Sequence, residues 1–192
     1  MNKKTSFILF LVIVLATFSR LFISIPNFTA IGSLALFCGA IFNKNKFCVL
    51  LPFIALLVGD LLMALTGNLI YTNYFLDGYF IYVYVAFGLT WLLGKTLLAN
   101  KSMKRVIGVS LLSSFAFYLI TNFGSWLQID LYTKDLAGLG QAYLAGLVFY
   151  KNDILSNFFL NQVVGDLAFA FAFFGMYFIS VKQSKALEAT SI

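Results

Sequence analysis

Apolar runs of about 20 residues recur along this chain, separated by short polar turns, and nothing else in it limits the fold as strongly. A helix of that length crosses the hydrocarbon core of a bilayer. A soluble chain of 192 residues has too little interior to hide a composition that is 61% apolar and 10% charged, with mean hydropathy +0.94. The expected fold is therefore all-α: a polytopic transmembrane bundle of six helices, one domain over residues 1–192. The runs place the helices at about 6–24, 28–43, 47–66, 78–98, 106–123 and 154–181.

The connections fix an orientation. Met1-Asn2-Lys3-Lys4-Thr5 opens like a signal peptide, but no small-x-small cleavage site follows, so the first run is read as a retained helix. With the N-terminus inside, ten of the thirteen basic residues fall on inner segments. Only Arg20, Lys134 and Lys151 fall outside. That bias predicts a multi-pass membrane protein with both termini cytoplasmic. Residues 67–77 carry aromatics and no lysine or arginine, which suits an outer interface. From Thr121 to Lys134 the chain reads as a long, less apolar connection. The stretch 136–150 is too short to span and should lie at the surface or re-enter.

Several function classes are excluded by what the chain lacks. It has no histidine and two cysteines, Cys38 and Cys48, so His-based metal sites and Ser-His-Asp or Cys-His catalysis are out of reach. No metal and no cofactor are expected. The net charge of +6 reflects helix-end lysines rather than a nucleic-acid partner. An intramembrane enzyme could draw only on Asp60 and Asp166 as paired carboxylates, so no enzyme activity is expected.

The informative polar residues gather in the outer halves of the expected helices. Ser19-Arg20 ends the first apolar run, and Pro26-Asn27-Phe28-Thr29 breaks the chain before the next. A charge so close to hydrocarbon is costly, so Arg20 should be paired or face a wet cavity or a ligand. Asp60 lies at similar depth, and the two could form a structural ion pair instead of contacting a ligand. Arg20, Asn27, Asp60, Asn122, Trp126, Asn157, Asn161 and Asp166 form the candidate substrate-binding set. Such a mixture of polar groups and aromatic walls suits a small-molecule site. Asn157, Asn161 and Gly165 follow at four-residue steps, so one face of the last helix should wall the cavity, with Asp166 beside it and Gln162 one turn before. Asn157 and Asn161 could equally bond neighbouring helices, and Trp126 could be an interfacial belt residue.

Two further patterns concern packing. Ala35 and Gly39 make a small-xxx-small pair that admits a neighbouring backbone. Val-Gly-Asp-Leu occurs at 58–61 and again at 164–167, and Thr-Asn at 72–73 and 121–122, which hints at an inverted repeat of three plus three helices.

Arg20, the run Pro26 to Phe37, the two Gly-Asp pairs and Thr121-Asn122-Phe123 resemble a family of uncharacterised bacterial membrane proteins over nearly the full length. That family is similar in size and helix count to the S components of energy-coupling factor (ECF) vitamin transporters. The resemblance implies a six-helix protein that captures a small micronutrient-like molecule from outside. Its partners would then be the lipid bilayer and a transmembrane coupling subunit with ATPases. No Walker motif is present, so ATP use would come from those partners. One departure is visible: where S components carry Ala-xxx-Ala on the first helix, Ala16 is followed four residues later by Arg20. The rival reading is a non-catalytic membrane scaffold or assembly factor whose polar residues only pack helices.

Overall fold

A computed structural model describes Leu11, Val14, Ala16 and residues 25–42, 49–65, 76–147 and 157–190. Among the described residues the chain is entirely helical, with six helices and no strand. They are α1 (Ile31–Ile41), α2 (Leu51–Leu65), α3 (Phe80–Leu97), α4 (Met103–Gln128), α5 (Leu136–Leu147) and α6 (Phe158–Thr190). Of the first expected helix, Leu11, Val14 and Ala16 are helical, and the rest lies outside the described residues. The six described helices are thus not the six expected ones, because the short stretch after residue 135 supplies one of them.

α1 is the axis of the bundle. Every residue from Ile31 to Ala40 is buried, as a helix apolar or small all round must be. At 11 residues it is about 16 Å long by its rise, roughly half a hydrocarbon core. α3, α6 and α2 pack around it, and α4 closes the ring between α3 and α6. Against α3 the backbones themselves meet. A Cβ on Gly39 would overlap the Trp91 carbonyl oxygen, and one on Gly94 would overlap the Leu36 carbonyl oxygen. The expected close approach is therefore real at Gly39, and its partner is α3. Farther along, Phe37 is ringed by Phe42, Phe173, Phe174 and Tyr177, with centroids 5.2–6.4 Å away.

Among the described residues three helices are long and apolar enough to cross a membrane: Phe80–Leu97, Met103–Gln128 and Phe158–Lys182. Their outward faces carry exposed apolar side chains such as Ile81, Val85, Leu112, Phe115, Val164 and Phe171, which lipid would cover.

The structure corrects one expected boundary. Thr121 to Trp126 do not begin a connection; they continue α4 to Gln128. The polar side chains there bond back along their own helix, Thr121 Oγ1 to the Phe117 carbonyl, Asn122 Nδ2 to Tyr118 and Ser125 Oγ to Thr121, at 2.8–3.1 Å. Polar groups satisfied this way do not force the helix to end. At the other end Ser102 caps α4, accepting from the Arg105 N–H, so the helix also starts earlier than 106.

The turn that follows α4 is tied by side chains. Trp126 Nε1 donates to the Thr133 carbonyl at 2.8 Å, and the Lys134 ammonium donates to the carbonyls of Trp126 and Ile129. Asp135 then accepts from the Gly138 N–H and the Thr133 hydroxyl, each at 2.8 Å, and so starts α5. α5, at 12 residues, is too short to span and lies against α4 and α6, as its length requires.

Candidate functional site

The polar residues of α6 form one inward stripe. Asn157, Asn161, Gln162, Gly165 and Asp166 are all buried, whereas Leu160 and Val164 on the opposite side are 37% and 47% exposed. Helical period alone accounts for the alternation. The other Val-Gly-Asp-Leu copy behaves alike: Gly59 and Asp60 are buried on α2, while Val58 and Leu61 are exposed.

At the far end of the stripe Asp166 reaches between three helices. Its Oδ2 accepts from Ser114 Oγ of α4 at 2.8 Å and from Gln162 Nε2, one turn earlier on α6, at 2.7 Å. The Ser33 hydroxyl of α1 donates to the Asp166 main-chain carbonyl at 2.6 Å. Oδ1 points at Gly32, where a Cβ would overlap it, and has no hydrogen-bond partner. The Ser110 carbonyl lies 3.0 Å from Ser114 Oγ as a second acceptor for its single proton, and the Ser110 hydroxyl itself is buried without a partner. Asp166 is 2% exposed, so two neutral donors and one bare oxygen make up its polar surroundings in an apolar bundle.

At the start of α6 the stripe meets the 25–30 turn. Asn27 adopts φ +59°, the left-handed conformation that asparagine tolerates better than most residues. The turn is closed by Phe28 N–H to the Ile25 carbonyl and Thr29 N–H to the Asn27 carbonyl. Gly165 lets it pack closely, since a Cβ there would stand 3.2 Å from Phe28 Cα. The Asn27 amide lies 3.5 Å from the Phe158 carbonyl, at the long limit of a hydrogen bond. Asn157 caps α6 through the Leu160 N–H at 2.8 Å and donates to the Leu147 carbonyl at 2.7 Å, joining α6 to the end of α5.

The predicted residues thus divide. Asn27, Asn157, Asn161 and Asp166 lie along the same stretch of α6. Asn122 sits on α4 against Gly146 of α5, where a Cβ would press on its amide. Nearby, the Tyr118 hydroxyl donates to the Tyr143 carbonyl at 2.6 Å and the Tyr143 hydroxyl to the Leu119 carbonyl at 3.1 Å. Trp126 belongs to the turn after α4. Asp60 is fully buried on α2, a helix that packs on α1 and α3. Arg20, and with it the expected approach to Asp60, lies outside the described residues.

Ser33, Ser114 and Gly32 were absent from the predicted set. Their only sequence signal is being small residues inside apolar runs, which also describes ordinary packing positions. Among the described residues no group of three or more metal-ligating side chains converges. Farther along α6, an apolar cleft against the start of α4 is lined by Met103, Val106, Ile107, Leu167, Ala170 and Phe171.

The model of a family of unknown function, DUF6580, matches residues 1–187, and the chain belongs to that family. No curated protein and no solved structure matches it.

Proposed function

We propose that this member of the DUF6580 family is a non-catalytic membrane protein that binds a small solute entering from the outer side, with the buried stripe of α6 as one wall of the site. The observation that supports it is the stripe itself, Asn157, Asn161, Gln162 and Asp166 all buried along one side of an otherwise apolar helix. Polar groups are retained at membrane depth at a cost, and function is the usual reason. Asn157, Asn161 and Asp166 sit at successive turns of one helix, the spacing a small polar molecule could span. The Asn27 turn, seated on Gly165, stands at the outer mouth of that path.

On this reading the chain sits in a bacterial plasma membrane with both termini in the cytoplasm. The likeness to ECF S components adds a coupling subunit with ATPases as the energy source. The experiment is native mass spectrometry of the protein purified in mild detergent, followed by thermal-shift measurements across micronutrient-sized solutes. A retained small molecule that is lost in N161A supports solute binding. A ligand-free protein that no solute stabilises refutes it.

The scaffold reading has its own specific support. Asn157 ties α6 to α5, and Ser33 and Ser114 tie α1 and α4 to Asp166. A scaffold would co-purify with a partner protein, and N161A would leave that association unchanged.

A further inference from the structure

Ionised, Asp166 would place a full charge in the bundle with no basic side chain among the described residues beside it. From α1 it is faced by Gly32 and Ser33, from α4 by Ser114, and from its own helix by Gln162. None of these titrates near neutral pH, and none is cationic. α5, which also packs against α6, brings no lysine, arginine or acid in Leu136–Leu147. Asp60 stands on α2, which packs on α1 and α3. Both donors converge on Oδ2, leaving Oδ1 bare against the Gly32 backbone. A buried carboxylate so placed costs far more than a neutral carboxyl group, which asks only that one oxygen carry a proton.

We propose that Asp166 is a proton-binding site: it holds a proton on Oδ1 while α1, α4 and α6 are packed, and releases it to water when they part. The step balances simply, a carboxylic acid becoming a carboxylate plus one proton, with Ser114 and Gln162 still donating to Oδ2. A proton suits the site better than a metal cation. A hard cation takes six or more oxygen ligands, whereas Gly32 occupies the side that Oδ1 faces. The asymmetry of the donors also makes sense, since two hydrogen bonds on Oδ2 mark Oδ1 as the protonated oxygen. The site lies on the wall invoked for solute binding, and it would couple solute movement to a proton. It is tested without solute, so either idea can fail alone.

The test is the infrared carbonyl stretch of protonated carboxyl groups in the full-length protein, in lipid at neutral pH, with deuterium exchange to identify the band. The expected result is a band in the wild type that D166N abolishes and D60N leaves in place. Raising the pH should remove it from the wild type. S114A, which takes a hydrogen bond from the carbonyl oxygen Oδ2, should move the band to higher wavenumber. A wild-type protein without the band at neutral pH overturns the proposal, as does a band unchanged in D166N. A band that disappears on adding sodium at constant pH overturns it in favour of a metal cation. If D166N fails to fold, the wild-type titration and S114A decide the matter.

Discussion

Gly32 of α1 and the Asp166 side chain of α6 share one space: the carboxylate oxygen Oδ1 lies where a Cβ on residue 32 would be. The smallest residue on the most buried helix therefore admits the acid into the bundle.

G32A should overpack that contact and destabilise the protein by about 1–3 kcal/mol. G175A has nothing within contact range of the added methyl and should be neutral or gain up to about 1 kcal/mol from helix propensity. Thermal or denaturant unfolding in detergent, with retained helicity as readout, checks the pair. Equal effects at both positions would refute the assigned contact.

The bond from Ser114 to Asp166 should appear as energetic coupling. S114A alone leaves Oδ2 with one donor, and D166N alone replaces the acceptor oxygens in part. The double variant should cost less than the two singles combined, by about 0.5–3 kcal/mol, as contacting residues do. A double-mutant cycle on unfolding free energies measures this, and strict additivity would contradict the bond.

The α1–α3 seam should be the least tolerant place in the fold. At Gly39 and Gly94 the obstructing atoms are backbone carbonyls of the facing helix, which cannot rotate away as a side chain can. G39A and G94A should each cost about 3 kcal/mol or more and lower the yield of folded protein. G108A, which faces open space, should accumulate normally.

Asp135 gives a pH dependence confined to α5. Its hydrogen bond from the Gly138 N–H, followed by that from the Thr133 hydroxyl, holds its carboxyl below the usual carboxylate range. A lowered folded value means the ionised cap contributes fully above the ordinary unfolded value, near about 3.9. That contribution fades as the pH falls through the lowered one. Amide exchange in 136–147 should therefore accelerate in acid. D135N should keep a cap but lose this pH dependence, and D135A should expose the helix start at every pH.

Orientation can be tested at two exposed positions. Cysteine at Lys134 should react with an impermeant reagent in intact cells, and cysteine at Lys104 should react only after permeabilisation. The reverse pattern would invert the assigned topology.

How much of this was legible in the sequence varies from residue to residue. Asp166 was evident because an acid in an apolar run is expensive wherever it lands. The burial of the α6 stripe followed from four-residue spacing, which is a property of one helix alone. The extension of α4 through Thr121, Asn122 and Ser125 was not legible. Side chains that bond to carbonyls four residues back look, in sequence, the same as polar residues that end a helix.

What the sequence determined by itself is the class of fold: apolar runs at bilayer length, broken by basic turns, admit only a helical membrane bundle. The tertiary structure alone decided which helix is central and what stands beside the acid. α1 lies at the axis because Gly39 and Gly94 let two backbones touch, and that pairing joins residues far apart in the chain. Ser33, Ser114 and Gly32 meet Asp166 from separate helices. A serine or glycine carries no mark in sequence of whether it faces lipid, another helix or a carboxylate. Only the packing of the helices assigns that neighbour, because the energy of such a contact depends on where the other helix lies.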